Sequence, residues 1–331
     1  NAQYIYETVE FNDLTESVPD FCFSGCKNIT NLIMHRAPSI IGDYAFSRCS
    51  DFKGILIRYS SVLDDSWWIN LMSIGLFAFE HTLISGTLFV PKTLISMSDG
   101  AFSECFFLTD VNLRYATQLT RIPNQAFWNC YRVRRVSLPE SITSVGHRAF
   151  AACQSLRTVD LNSAAMSVSL GSDAFSGCTN FIGFSKPIEI AECGANCFLG
   201  DSSFQQNLWN QVIDPEASWC GGMEVIPESC FSNTNFLSIK FASPDNGGPT
   251  EVERLAFNGC ASLSSIDMTD FDSLPNWHGT SIFSNVHPTG IIYVSQSILV
   301  NGEIPSEWTA SFMKWGIRFD ASPVTHANWT L

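Results

Sequence analysis

The side chains with the greatest chemical potential in this chain are its 12 cysteines. Twelve thiols could form disulfides, bind zinc or act as nucleophiles. Seven of them recur at one position of a repeated motif that reads small-Phe-x-x-Cys: Cys26, Cys49, Cys105, Cys130, Cys153, Cys178 and Cys260. Because a buried thiol packs as a compact apolar residue, we predict free thiols in the core at this position. Cys22, Cys197 and Cys230 occupy the small position before Phe and are interpreted in the same way.

Two cysteines, Cys193 and Cys220, fit neither position. The sequence leaves two alternatives open for them, one disulfide between the pair or two separate thiols. Zinc at Cys193-x3-Cys197 would need a second pair of Cys or His at ligand spacing, and none lies nearby in the sequence. We therefore predict no metal.

Other catalytic chemistry finds no support in the sequence. The six histidines are scattered without a regular partner, and the sequence contains no P-loop, Rossmann glycine string, His-Glu-x-x-His, Gly-x-Ser-x-Gly or EF-hand loop. Asp64-Asp65 and Asp270-x-Asp272 could bind calcium, but in so acidic a chain solvated loop carboxylates are the simpler interpretation. The prediction is a protein that is not an enzyme and has no cofactor.

The charge balance limits the classes of partner. With 18 Lys and Arg against 32 Asp and Glu, the formal net charge of -14 disfavours nucleic acid, anionic lipid and other polyanions. Residues 67–90 are the longest apolar stretch, but they contain Asn70, Glu80 and His81, so direct membrane insertion is not expected. No signal peptide is recognised at residues 1–4. The oligomeric state stays open.

These residues are positioned by about eleven sequence repeats, each of which forms one coil. A phenylalanine returns every 23 to 26 residues, and two intervals of 33 carry insertions at residues 59–72 and 205–222. These phenylalanines are Phe23, Phe46, Phe79, Phe102, Phe127, Phe150, Phe175, Phe198, Phe231, Phe257 and, more weakly, Phe283. Before the turn at Pro139, Val136 and Leu138 alternate with polar residues, and Val159 and Leu161 repeat the pattern, which predicts a short strand in each coil.

Residues 138–153 read Leu-Pro-x-Ser-x-Thr-x-x-Gly-x-x-Ala-Phe-x-x-Cys, and this pattern resembles the BspA-like, or Treponema pallidum-type, leucine-rich-repeat family almost letter for letter. The resemblance implies a leucine-rich-repeat solenoid with a curved parallel β-sheet on the concave face and loops, short strands or helical turns on the convex side. It also implies an N-terminal cap at 1–17, repeats at 18–294 and a C-terminal cap at 295–331. Within the last segment, Pro305 to Gly316 is predicted to form a helix.

The outward strand positions form a candidate partner-binding surface, which we call the lane. It contains Ile33, Leu56, Phe89, Asn112, Ser137 and Asp160. Its first three members are apolar, which is typical of a contact site, although cover by the insertion that carries Trp67 and Trp68 is an open alternative. Trp209 in the second insertion is a further candidate contact or a core anchor.

The solenoid geometry predicts macromolecular recognition, and the family resemblance implies a secreted or cell-surface protein, an adhesin or receptor that binds a protein or glycoprotein. The alternative is a fixed structural subunit of a larger extracellular or organellar assembly. Two glycosylation sequons, at Asn28 and Asn328, agree with secretion, but two such triplets are close to what chance supplies.

Overall fold

The computed structural model describes residues 8–10, 16–57, 69–161, 166–185, 188–203, 223–241, 245, 248–271, 276–277, 281–295 and 316–319. The chain forms two compact units. The first comprises residues 1–163 and 177–179, and the second comprises residues 164–176 and 180–331. Each unit is described by itself.

The first unit contains 13 short strands among its described residues. They are β1 Thr8–Glu10, β2 Ser17–Val18, β3 Asn31–Met34, β4 Ile40–Ile41, β5 Gly54–Ile57, β6 Ser73–Ile74, β7 Ser85–Phe89, β8 Ser96–Met97, β9 Phe107–Asn112, β10 Arg121–Ile122, β11 Arg135–Leu138, β12 Ser144–Val145 and β13 Thr158–Leu161. Every second strand along the chain pairs in parallel, so that β1, β3 and β5 lie side by side, and so do β7, β9, β11 and β13. The strands β2, β4, β6 and β8 form a separate row of two-residue strands.

The second unit repeats this arrangement. Its strands are β14 Met166–Leu170, β15 Gly183–Phe184, β16 Ile188–Cys193, β17 Val225–Ile226, β18 Ser238–Lys240, β19 Glu251–Val252, β20 Ser265–Met268, β21 Asn276–Trp277, β22 Ile291–Val294 and β23 Gly316–Phe319. In one parallel sheet β18, β20, β22 and β23 are neighbours, and in another β17, β19 and β21 are neighbours. The predicted solenoid of parallel coils is confirmed, and the described residues contain no α-helix.

The register phenylalanines form a column of stacked rings in the core of each unit. All eleven are at least 92% buried. From Phe23 to Phe150 the successive centroids lie 5.3 to 5.6 Å apart, and from Phe175 to Phe283 they lie 5.1 to 5.7 Å apart. Adjacent rings are within 16° of parallel, so each ring fills the space between its neighbours.

The turn that carries each phenylalanine is built by two backbone reversals. From Phe23 to Phe257, the residues two before and two after each register phenylalanine adopt positive φ, as do Tyr44 and Arg48 around Phe46. This left-handed geometry aims the amide of Phe46 at the carbonyl of Ala78 in the next coil, at 2.8 Å. The same bond joins Phe79 to Ala101 at 2.9 Å. The alanines before the phenylalanine are fully buried, and their carbonyls accept these bonds between coils.

Buried thiols satisfy the carbonyls of these turns. Cys130 donates its S–H to the carbonyl of Phe102 in the preceding coil at 3.1 Å, and Cys153 donates to Phe127 at 3.2 Å. Cys49, Cys105, Cys178 and Cys260 make the equivalent bond. In one coil Thr82 occupies the thiol position, and its hydroxyl donates to the carbonyl of Phe79 in the same coil instead of the preceding one. The prediction of free core thiols is confirmed at these six positions, whose cysteines we call the thiol ladder.

The segments predicted as caps also contribute strands. β1 lies within residues 1–17 and pairs with β3 in register, Thr8 opposite Asn31. β23 lies within residues 295–331 and pairs with β22, Val294 opposite Phe319. Residues 305–315 of the predicted C-terminal helix are outside the described residues, and Gly316 begins a strand. Among the described residues, no helix is long and apolar enough to cross a membrane.

Replacement of Phe127 by alanine should destabilise the first unit by about 3–5 kcal/mol, because it opens a gap between the rings of Phe102 and Phe150. Urea unfolding followed by intrinsic fluorescence measures the change. The control is Tyr115→Ala in the same unit, where the side chain is 65% exposed and the expected loss is within about 0.5 kcal/mol. Equal stability of the two variants would contradict a structural role of the ring column.

Candidate functional site

The lane predicted from the repeat is a row of aligned backbone positions in the first unit. Ile33 of β3 lies opposite Leu56 of β5. In the neighbouring sheet, Phe89 of β7 is aligned with Asn112, Asn112 with Ser137, and Ser137 with Asp160. Since aligned residues of a parallel sheet point to the same face, each of these two sheets carries its lane residues as one continuous row.

The exposed part of the lane changes from apolar to polar. Phe89 is 51% exposed, and Ile33, Asn112, Ser137 and Asp160 are half-buried. The side chain of Leu56 lies outside the described residues, as do Trp67, Trp68 and Trp209. An aromatic ring that is half open to solvent at a strand end is a candidate anchor for a partner.

Polar contacts fix the other end of the lane. Arg135 Nε lies 3.4 Å from Asp160 Oδ2, which holds that carboxylate on the strand surface. The side-chain carbonyl of Asn112 accepts a hydrogen bond from the backbone amide of Arg114 at 3.1 Å. These contacts leave the remaining lone pairs of Asp160 and the amide group of Asn112 available to an incoming polar group.

The structure adds one residue to the lane that the sequence did not indicate. Glu10 of β1 lies opposite Ile33, and its carboxylate Oε1 is 3.1 Å from His35 Nε2. Residues 1–17 carry no register phenylalanine, so the repeat pattern gives no signal for this strand. In the second unit the corresponding row is Lys240, Asp267 and Tyr293, with Lys240 Nζ 3.2 Å from Asp270.

A second exposed apolar group lies beside the row of two-residue strands. Ile40, Ile69, Met72 and Ile95 are between 44% and 62% exposed. The backbone amide of Ile95 donates to the carbonyl of Met72 at 2.8 Å, which places these two side chains in adjacent coils. The repeat pattern gives no signal for this group, because residues 59–72 depart from the pattern as an insertion.

The thiols outside the ladder form a cluster in the second unit. Cys193 Sγ is 3.3 Å from Cys230 Sγ, so Cys230 is a neighbour that the sequence did not suggest. Hydrogen bonds from Cys197 and Cys230 lower the pKa of the Cys193 thiol below its usual range, against the opposing effect of burial. Burial raises the pKa of the ladder thiols Cys105 and Cys153 to about 12. Cys220 lies outside the described residues, so its disulfide with Cys193 stays a prediction.

Two expectations for small sites have different outcomes. Cys22, expected in the core, is exposed, because it lies in the turn of Phe23, which begins the phenylalanine column. Asn28 of the first sequon is exposed in a turn, and Asn328 is outside the described residues. In the part of the chain that the structure describes, no group of three or more His, Cys, Asp or Glu side chains is arranged to hold a metal ion.

The repeated coil has an inward phenylalanine, a thiol and short strands that pair in parallel with those of the next coil. Repeated coils of this kind define a leucine-rich-repeat protein. The chain matches the BspA type leucine rich repeat region in overlapping segments, 4–105, 58–182, 120–243 and 199–301, and it belongs to this family. The predicted family is therefore confirmed. A comparison with curated proteins gives no match.

Solved structures of bacterial repeat proteins are similar to this chain. A leucine-rich repeat protein from Bacteroides ovatus is 17% identical, with a TM-score of 0.48, over 96% of this chain and 94% of its own. The T. pallidum leucine rich repeat protein is 22% identical, with a TM-score of 0.43, over 53% and 77%. A leucine rich cell surface protein from Faecalibacterium prausnitzii is 18% identical, with a TM-score of 0.42, over 92% and 90%.

In the reduced protein, iodoacetamide should alkylate Cys193 at a lower pH than Cys22, because hydrogen bonds from Cys197 and Cys230 lower the pKa of the Cys193 thiol and favour its thiolate. Cys22, an exposed residue, is the internal control. Partial burial of its sulfur and the nearby Cys26 raise the pKa of the Cys22 thiol, so its rate of alkylation should rise only in alkaline solution. Peptide mass spectrometry at a series of pH values measures both rates. Identical pH profiles for the two thiols would contradict the assignment.

Proposed function

We propose that this chain is a secreted or cell-surface recognition protein that binds a protein or glycoprotein through the lane and performs no catalysis. The observation that carries the proposal is the alignment of lane residues in register along two sheets, with Phe89 51% exposed at the end of its strand. A solenoid of this kind offers a long surface whose side chains can vary without changing the core.

The chemistry of the lane suits a partner with a mixed surface. Phe89 supplies apolar area, and Asn112, Ser137 and Asp160 supply donors and acceptors on the following strands. Interfaces of this composition place an aromatic anchor beside polar groups that fix orientation. A protein or a glycoprotein offers both kinds of group, whereas a small metabolite would need a concave pocket.

Secretion is supported by the exposed position of Asn28. A glycosylation sequon is usable only where the asparagine side chain is open to the transferase, and Asn28 lies in an exposed turn. The family to which the chain belongs gives the general class, a repeat scaffold. The adhesin or receptor role and the extracellular location are part of the proposal.

The second candidate, a fixed structural subunit, is favoured by a different surface. Ile69, Met72 and Ile95 expose apolar side chains beside the two-residue strands, where a permanent neighbour would bury them. A permanent interface would give a companion at fixed stoichiometry that survives high salt. Recognition through the lane would give saturable capture of an added partner.

A native pull-down from the cells of origin and from extracellular-matrix extracts separates the two candidates. Captured proteins are identified by mass spectrometry, and each is then titrated against the purified chain. Saturable binding that depends on Phe89 would support recognition through the lane. A salt-resistant companion that binds Phe89→Asp equally well would support the structural subunit and contradict the lane.

The change Phe89→Asp should weaken partner binding about 30-fold or more while leaving the fold intact, because it places a charge where an exposed ring is expected to contact the partner. The triple change of Ile33, Leu56 and Phe89 to Asp should abolish binding. Tyr115→Asp, at a ring outside the lane that is 65% exposed, is the control. Titration calorimetry and a thermal melt measure the two effects; unfolding of the triple variant would show that the patch is core.

A further inference from the structure

The positive charge of this acidic chain is concentrated in one segment. Residues 114–157 contain seven arginines and a single acidic residue, Glu140, a formal charge of +6 in a chain of -14. The arginines are Arg114, Arg121, Arg132, Arg134, Arg135, Arg148 and Arg157. All of them belong to the first unit. Such a local reversal of sign creates a positive potential at the surface although the whole molecule is negative.

Two of these arginines are held side by side. The backbone amide of Arg157 donates to the carbonyl of Arg134 at 2.9 Å, and the next residues, Arg135 and Thr158, are paired across β11 and β13. The side chains of Arg134 and Arg157 are exposed, and within the described residues neither forms an ion pair with a carboxylate, unlike Arg135. Adjacent like charges on parallel strands repel, so this arrangement does not serve stability.

A third arginine is fixed beside them by aromatic rings. The guanidinium carbon of Arg132 lies 4.7 Å from the ring centroid of Phe107 and 5.7 Å from that of Tyr131. Tyr131 in turn stacks on Phe106 with centroids 5.3 Å apart. These contacts order a long side chain that would otherwise be mobile, and they place half-buried ring surface next to the positive charges.

Nearby arginines have a different role. Arg121 is 3.3 Å from Asp99, and Arg135 is 3.4 Å from Asp160, so both are neutralised within the unit. Arg132, Arg134 and Arg157 are the exposed cations of this segment without a carboxylate partner among the described residues, and we call them the arginine cluster. Guanidinium groups in this state are suited to bidentate hydrogen bonds with oxyanions.

We infer that the arginine cluster binds the sulfate groups of an acidic polysaccharide, with the rings of Tyr131 and Phe106 in contact with the sugar. Arg134 and Arg157 directly precede the paired strands β11 and β13, and neighbouring strands lie about 4.8 Å apart, close enough for the two arginines to hold one sulfate between them or two on successive sugars. Arg132 extends the positive surface toward the rings. The inference does not depend on the lane, because none of these residues belongs to it.

A sulfated glycan fits this surface better than other anionic polymers. The cluster presents three cations, bordered by acidic Asp110 and Asp160, within a chain of net charge -14. A nucleic acid carries phosphates along its whole length and would meet this acidic surface on either side of the cluster. A short sulfated segment can place its charges on the arginines and its apolar sugar faces on the aromatic rings. The expectation that polyanions are disfavoured therefore does not extend to this part of the surface.

Fluorescence anisotropy with a labelled heparin hexasaccharide tests the inference on the full chain. The native protein should bind at low ionic strength and more weakly as salt is added. Arg134→Gln with Arg157→Gln should reduce the affinity about tenfold per arginine, since each loss removes charge-assisted hydrogen bonds. The matched control, Lys27→Gln with Arg36→Gln, removes the same charge from exposed positions of the same unit and should leave binding nearly unchanged.

The competing explanations give distinct results. Equal loss of affinity in both double variants would mean that only net charge matters, and it would overturn the assigned site. Equally tight binding of an unsulfated hyaluronan hexasaccharide, or of a short DNA strand, would overturn the sulfate specificity. Phe89→Asp should retain heparin binding, which separates this inference from the proposed function. The thermal melt of the arginine variant should not fall, because two repelling charges are removed.

Discussion

The structure depends on one joint between consecutive coils, at the turn that carries the register phenylalanine. Two residues with positive φ, such as Tyr44 and Arg48, turn the backbone so that its amides reach the carbonyls of the next coil. A buried alanine allows that approach, and the phenylalanine ring fills the space that the turn encloses. No single coil could bury its ring or satisfy its amides alone, so the hydrophobic and hydrogen-bonding requirements are met by the same neighbour.

This joint explains why the outer positions of the strands can carry such different chemistry. The inward residues Val136 and Val159 are fully buried, whereas the residues that alternate with the inward residues along each strand do not pack in the core. One outward row carries an exposed phenylalanine and polar groups, and the next carries neighbouring arginines that repel each other. A scaffold whose stability lies in its turns tolerates unfavourable surface contacts that a smaller domain could not.

The sequence predicted the coils and their register because each depends on local spacing. The Phe and Cys positions recur at regular intervals along the sequence, and the register phenylalanines and the six thiols of the ladder are buried in the core as predicted. Contacts between residues distant in sequence were less predictable. The approach of Cys230 to Cys193, 37 residues apart, depends on how the chain returns after the second insertion. The strand at Thr8–Glu10 lacks a register residue, and the arginine cluster is visible only when its strands are aligned.

The thiol ladder has a direction, and that direction bears on how such an array could lengthen. Cys130 donates back to Phe102, while its own coil's carbonyl, at Phe127, accepts from Cys153. Each coil with a cysteine at this position therefore brings one donor for its predecessor and one acceptor for its successor. A duplicated gene segment that encodes a whole coil inherits both halves of the connection and can be inserted without compensating changes elsewhere. Evolution of length in this scaffold is thus separable from evolution of its binding surface.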